Sequence, residues 1–267
     1  MTEKKSNTVQ CLEKALILLA ELARVAKEID LWELSRRTGL SKSTASRLLA
    51  TMEQRGIVRQ NSITRRFSLG PDLIRLGSIA SDQLGLSELF HPFLEELVEA
   101  TGETASLAIL SQNQALYIDQ VLSSRMIRSF PPVGTHIDLH CSAVGKVLLS
   151  ELPPDQIQLV LQERGLTAYT KNTITNLNQL FKLMEVVREN GYALDLEEKE
   201  IGGICIAAPL RKYTGQIIAA FGISGPSNRI TAEKLRSLVQ SMVEVAKKAS
   251  AQLGYIIPDQ RNGRLEI

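Results

Sequence analysis

Residues 42–47 read Lys-Ser-Thr-Ala-Ser-Arg, a run of two cationic arms and three hydroxyls. At a helix start such side chains suit phosphate oxygens and base edges, because the first backbone N–H groups of a helix also lack partners. Ser43, Thr44 and Arg47 are the candidates for base-edge or phosphate contact, with Ser46 beside them and Lys42 better suited to phosphate. The bland alternative for all five is a solvated helix face. Two other groupings suggest different chemistry. His136, His140 and Cys141 are imidazole and thiolate ligands of the kind zinc uses, and Cys205 or Ser142 with His140 as base would make a nucleophile. Residues 135–139 read as extended, which keeps His136 and His140 off one helical face. The chain has no GxSxG elbow, P-loop or dinucleotide fingerprint. Neither an enzyme nor a metal site is therefore expected, and no cofactor is implied.

The elements around residues 42–47 decide between groove reading and solvation. Val9, Leu12, Ala15, Leu16, Leu19 and Leu22 recur at helical spacing over 8–26 and predict a first amphipathic helix with that stripe buried. Residues 31–39 predict a short second helix, Leu31 and Leu34 facing inward, ended by Gly39 in the left-handed conformation. Ser41 then caps a third helix, whose aliphatic side is Ala45, Leu48, Leu49 and Met52. Two short helices about a glycine turn form a helix-turn-helix. Residues 57–70 alternate around a polar tip at Asn61-Ser62 and predict a two-stranded wing. Arg59, Arg65 and Arg66 on it are placed to reach the sugar-phosphate backbone, and Arg36 on the second helix is a further phosphate candidate, as is Arg37.

Charge distribution agrees. Among residues 1–70 there are 13 Lys or Arg against 7 Asp or Glu, although the whole chain of 267 residues carries a formal charge of only +2. A basic head on a mildly acidic body fits a polyanion-binding module joined to a second domain. Pro71 fits the first turn of a connecting helix over 71–85. Beyond it, helices are expected at 87–101, 141–151, 154–164, 176–190 and 231–253. Strands are expected near 104–110, 115–121, 126–130, 204–210 and 216–224. Paired strands between helices predict an α+β domain with a largely antiparallel sheet. Three dispersed cysteines, with Cys11 and Cys205 in apolar company, predict buried thiols, and the pattern as a whole a reduced, soluble, cytoplasmic protein with no membrane partner.

Residues 191–210, GYALDLEEKEIGGICIAAPL, resemble the signature of the IclR family of bacterial transcription regulators, with Gly191, Asp195, Glu198 and Cys205 at the family's spacing. HCSAVGKVLLSELP at 140–153, FGISGPSNRIT at 221–231 and the terminal QLGY are similar to it as well, so the likeness runs from about Val9 to Tyr255. Arg211 and Lys212 depart from the aromatic or His and Asp or Asn that usually close the signature, and this departure is expected to affect a turn. The resemblance implies a two-domain α+β chain. A winged helix-turn-helix over 1–70 and a linker helix over 71–86 precede a GAF-like α/β effector domain over 87–257 and a flexible tail over 258–267. It also implies a homodimer or homotetramer on a palindromic double-stranded DNA operator, sensing a small metabolite, with repression expected. A small organic acid or sugar acid suits the helix start near Ala143, where Ser-Ala-Val-Gly permits close approach. The effector contacts implied are Ala143, Val144, Asp195, Cys205, Gly222 and Ser224, with Gly222 standing where a relative can carry a serine hydroxyl. Glu198 is expected to brace the loop. The alternative function is a DNA-binding protein whose second domain serves only assembly.

Overall fold

The computed structural model describes residues 9–25, 27–128 and 131–256, so the tail expected at 258–267 lies outside the described residues. The chain divides into two compact units, Met1–Leu84 and Gly85–Ile267.

The first unit is a winged helix-turn-helix. Helices α1 (Gln10–Val25), α2 (Leu31–Thr38) and α3 (Lys42–Gln54) precede strands β1 (Val58–Gln60) and β2 (Phe67–Leu69), and α4 (Asp72–Leu84) follows. Asp30 caps α2 by accepting from the Glu33 N–H at 2.9 Å, and Gly39 ends it at φ 69°. Ser41 caps α3 by accepting from the Thr44 N–H at 3.2 Å. The wing pairs Val58 with Leu69 and Gln60 with Phe67, and Ile29 adds a bridge to Phe67. Leu18, Leu22, Leu34, Ala45, Leu49, Met52, Val58 and Phe67 form the core.

Two expectations for α1 need correction. Leu22 is buried, but its partner one turn back is Leu18, while Val9, Leu12 and Leu16 are 67%, 59% and 55% exposed. Ala15 and Leu19 pack against the core with Leu22 as expected, but the contacts of α1 with α2, α3 and β2 leave its opposite flank open, so hydrophobic spacing alone assigned only half of the stripe correctly. Cys11, at the start of this helix, is exposed rather than a buried thiol.

The second unit is built on a six-stranded antiparallel sheet in the order β5-β4-β3-β8-β7-β6. Its strands are β3 (Thr104–Ser111), β4 (Gln114–Val121), β5 (His136–Ile137), β6 (Ala193–Leu196), β7 (Gly203–Arg211) and β8 (Ile217–Pro226). On one face pack α5 (Leu86–Thr101) and α9 (Ala232–Gln252), with Phe90, Leu94 and Met242 against Leu107, Ile206, Phe221 and Ile223. On the other face α6 (Ala143–Ser150) packs against the sheet, α8 (Leu177–Asn190) packs on α6, and α7 (Pro154–Arg164) shares with them the core cluster that includes Ala108, Ala207 and Ala220. Large residues on one face alternate with small ones on the other, which lets α6 approach the sheet closely. All eight residues of α6 are buried.

The strand expected at 126–130 is not found. Residues 124–127 are bends, and 129–130 lie outside the described residues. Side chains hold this segment where a strand ladder was anticipated: Arg128 donates to the Ser123 carbonyl at 3.0 Å and Arg229 to the Ile127 carbonyl at 2.7 Å. The pairing with β4 is made later, by His136–Ile137, and β6 is an additional edge strand whose register sets Asp195 opposite Cys205. Among the described residues no helix is long and apolar enough to cross a membrane.

Candidate nucleic-acid interface and ligand cavity

The capped start of α3 gathers the residues singled out for groove reading. Lys42, Ser43, Ser46 and Arg47 are exposed and Thr44 half-buried, while Ala45, Leu49 and Met52 face the core and Leu48 is partly covered. The Ser41 hydroxyl lies 3.1 Å from that of Ser43 and 2.9 Å from that of Thr44, so a hydroxyl cluster surrounds the unpaired N–H groups. Among the described residues the side chains of Lys42, Arg47 and Arg65 make no ion pair or hydrogen bond within the unit. Arg59 donates across the wing to the Ser68 hydroxyl at 2.9 Å. Arg65 occupies the wing tip at φ 57°, and Arg66 is exposed near Glu28. Arg36 is differently placed. It forms a two-pronged pair with Glu33 at 2.8 and 2.9 Å and lies 5.7 Å from the Trp32 ring centre, while Arg37 reaches Glu33 at 2.6 Å. Hydrogen bonds from Arg36 and Arg37 hold the Glu33 carboxyl down at about 2.

In the second unit a cavity of about 280 Å³ opens between the start of α6 and the small-residue face of the sheet. Ala143, Val144, Asp195, Cys205, Gly222 and Ser224 all line it, together with Ser106, Tyr117, Ser142 and Lys199. Register explains the gathering: Ser106 is opposite Gly222, Cys205 opposite Ser224, and Asp195 opposite Cys205. Ser142 caps α6, accepting from the Gly145 N–H at 3.2 Å and donating to the Asp138 carbonyl at 2.7 Å. The first amides of a helix of eight residues thus sit at the wall, a ready partner for an anion.

Behind that wall is a buried charged group that sequence alone does not flag. The Lys146 ammonium, 1% exposed, donates to the Leu194 carbonyl at 2.8 Å and pairs with the Glu198 carboxylate. Glu198 therefore braces the loop after β6, its backbone N–H donating to Asp195 Oδ1 at 2.7 Å. Burial, only partly offset by that N–H and by Lys146, pushes the Asp195 carboxyl up to about 6. Asp195 and Glu198 are not the solvated turn that their polarity would suggest; both are buried.

His140 is buried with Nε2 3.0 Å from the Thr167 carbonyl, which turns that nitrogen away from service as a base. The Ser142 hydroxyl is spent on capping. Burial pushes the Cys205 thiol up, with the Asp195 charge adding to it, the reverse of what a nucleophilic thiolate requires. Among the described residues no three His, Cys, Asp or Glu side chains come together as a metal site.

Family models match both units: the IclR helix-turn-helix domain over residues 11–62 and the bacterial transcriptional regulator IclR C-terminal domain over residues 79–251. This chain belongs to the IclR family. It is 35% identical to the HTH-type transcriptional regulator BhcR of Paracoccus denitrificans over 92% of this chain and 88% of that protein. It is 34% identical to the acetate operon repressor of Salmonella typhimurium, over 95% and 93% of the two chains. The crystal structure of an IclR transcriptional regulator from Alicyclobacillus acidocaldarius superposes with a TM-score of 0.81 at 29% identity, over 92% of this chain and all of that one. The chain is accordingly a DNA-binding transcription regulator and not an enzyme.

Two features mark this IclR-family chain. A Cβ at Gly222 would lie 2.8 Å from Val144 Cγ1 and 3.2 Å from Ser106 Oγ, and the Ser106 hydroxyl lines the cavity beside this position. At the turn after β7, the Arg211 side chain donates to the Gly215 carbonyl at 2.7 Å and pairs with Glu151 at 2.7 Å, while the Lys212 backbone N–H donates to the Gln216 carbonyl at 3.1 Å.

Proposed function

We propose that this regulator is a repressor of catabolic genes, binding a palindromic operator as a homodimer or homotetramer and answering to a small organic or sugar acid. The observation that carries the effector reading is the α6 N-terminus meeting Asp195, Ser106 and Ser224 in the lining of one cavity. A carboxylate there is met by backbone N–H groups and hydroxyls. The repressor reading is supported by what the Salmonella relative is called. Self-association is supported by the open flank of α1, where Val9, Leu12, Leu16 and Ile17 are exposed, and by exposed Ile74, Leu76 and Ile79 on α4. A two-fold assembly presents two recognition helices and so selects a two-fold DNA site. The effector acts by preferring one arrangement of the assembled second domains, which shifts the population with DNA-competent spacing. The alternative, a second domain used only for assembly, requires that no metabolite raise the thermal stability of the full chain.

In this reading Ser43, Thr44, Ser46 and Arg47 address base edges, while Lys42, Arg59, Arg65 and Arg66 hold phosphates. Arg36 reaches phosphate only by exchanging Glu33, a surface pair worth little. Fluorescence anisotropy against operator variants from the regulator's own upstream region tests the division of labour. Arg47→Ala is expected to lose about 1–3 kcal/mol of discrimination at one base pair. Equal preference before and after the change counts against base reading. Arg66→Ala is expected to weaken every duplex alike and to flatten the slope of log affinity against log salt by about 0.9. An unchanged slope removes it from the phosphate contacts.

A further inference from the structure

The wall behind Asp195 holds an odd number of buried charges. Lys146 is paired with Glu198, whose Oε2 has no hydrogen-bond partner among the described residues. Lys146, the buried cation of this wall, is therefore matched, while among the described residues Asp195, 3% exposed, receives on its Oδ1 only the N–H groups of Glu198 at 2.7 Å and Lys199 at 3.4 Å.

The other groups facing Asp195 supply no compensating charge. Cys205 lies opposite on β7 and Tyr117 on β4; burial raises both well above neutral pH, so both stay uncharged. Cys141, before α6, is pushed by burial to about 12. From the turn after β6 come Glu198, Lys199 and Glu200. The Lys199 ammonium is engaged elsewhere, 3.3 Å from the Tyr169 ring centre and 3.3 Å from Asp138 Oδ2. Strands β3 and β8 contribute only Ser106, Gly222 and Ser224 to the cavity floor besides backbone. An ionised Asp195 thus leaves the wall with a net negative charge, on the same cavity surface as the α6 amides that favour an anion.

Two carboxylates confined in so small a space cannot both remain ionised at low cost; a shared proton turns their repulsion into a hydrogen bond. We propose that Asp195 holds a proton when the effector carboxylate is bound, so that the cavity takes up one proton from solvent for each carboxylate it admits. This rests on the carboxylate reading of the effector given above. It makes Asp195 a hydrogen-bond donor to the ligand and makes effector binding tighter as the cell interior acidifies. The sign follows from the direction of the shift: burial lifts the Asp195 carboxyl to about 6, so the protonated form becomes scarcer as pH climbs past that value.

Calorimetric titration of the full-length protein with lactate, glycerate and gluconate, each in buffers of different ionisation enthalpy, tests the proposal. Between about pH 7 and 8 the Kd of whichever acid binds is expected to rise roughly tenfold, with close to one proton taken up per ligand. Asp195→Asn is expected to keep binding and to flatten that dependence, because the amide donates without titrating. The buffer comparison on the unaltered protein stands even if the variant folds poorly. A Kd independent of pH with no proton uptake overturns the proposal and leaves the carboxylate reading intact. Failure of all three acids to bind at any pH from about 5.5 to 8 overturns both.

Discussion

Lys146→Ala is expected to lower the unfolding free energy by about 3–5 kcal/mol, the usual loss when one member of a buried ion pair is removed. The ammonium is 1% exposed and bridges two elements, the Leu194 carbonyl within β6 and the Glu198 carboxylate on the following turn. Without it, Glu198 is a buried carboxylate already short of one hydrogen-bond partner. Urea unfolding near neutral pH measures the loss. The double change Lys146→Met with Glu198→Gln is expected to recover most of it, since neither member of the pair is then left as a buried charge without its partner. A single-variant loss below about 1 kcal/mol would mean that the pair behaves as a solvent-screened one and contributes little to the fold.

Gly145→Ala is the second large effect, expected to cost about 3 kcal/mol through overpacking and to abolish ligand binding. A Cβ there would stand 2.5 Å from Leu139 Cα and 2.7 Å from the Leu139 carbonyl oxygen. Both are backbone atoms that no side-chain rotation can clear. It would also meet the Ser142 hydroxyl at 2.5 Å, the atom that caps the helix. Helix α6 must therefore back away, carrying Ala143 and Val144 off the cavity wall. Thermal denaturation and titration of the same variant report the two consequences separately; a stable variant with normal affinity would show that α6 has room to spare.

The first domain was largely legible from sequence because its signals are local. Ser41, Gly39 and the Asn61-Ser62 tip act within a few residues of themselves, so caps and turns could be read one at a time. The burial of α1 was legible for Ala15, Leu19 and Leu22 but not for the rest of its stripe, since Leu16 and Leu18 have the same chemistry and only the partners differ. In the second domain the cavity positions came from the family signature, and the strand register accounts for their meeting. Ser106 and Tyr117 were missed because they lie far along the chain and reach the cavity only through pairing of β3 with β8 and β4. Lys146 was missed for another reason: a lysine in VGKVLL reads as an ordinary exposed position. A cation inside an otherwise unbroken apolar run was the one available hint. Residues 126–130 misled in the opposite direction, since Met126 and Ile127 look strand-forming yet are 99% and 72% exposed.

Helix α6 is enclosed along its entire length. A rod gripped on every side can neither pivot nor fray, and at about 1.5 Å per residue its far end lies roughly 12 Å from the cavity. There the Ser150 carbonyl receives Arg188 from α8 and neighbouring Glu151 holds Arg211 from β7. Any travel that a guest molecule imposes on Ala143 must therefore surface at this arginine-lined exit, as displacement in a solid rather than as loosening of a loop.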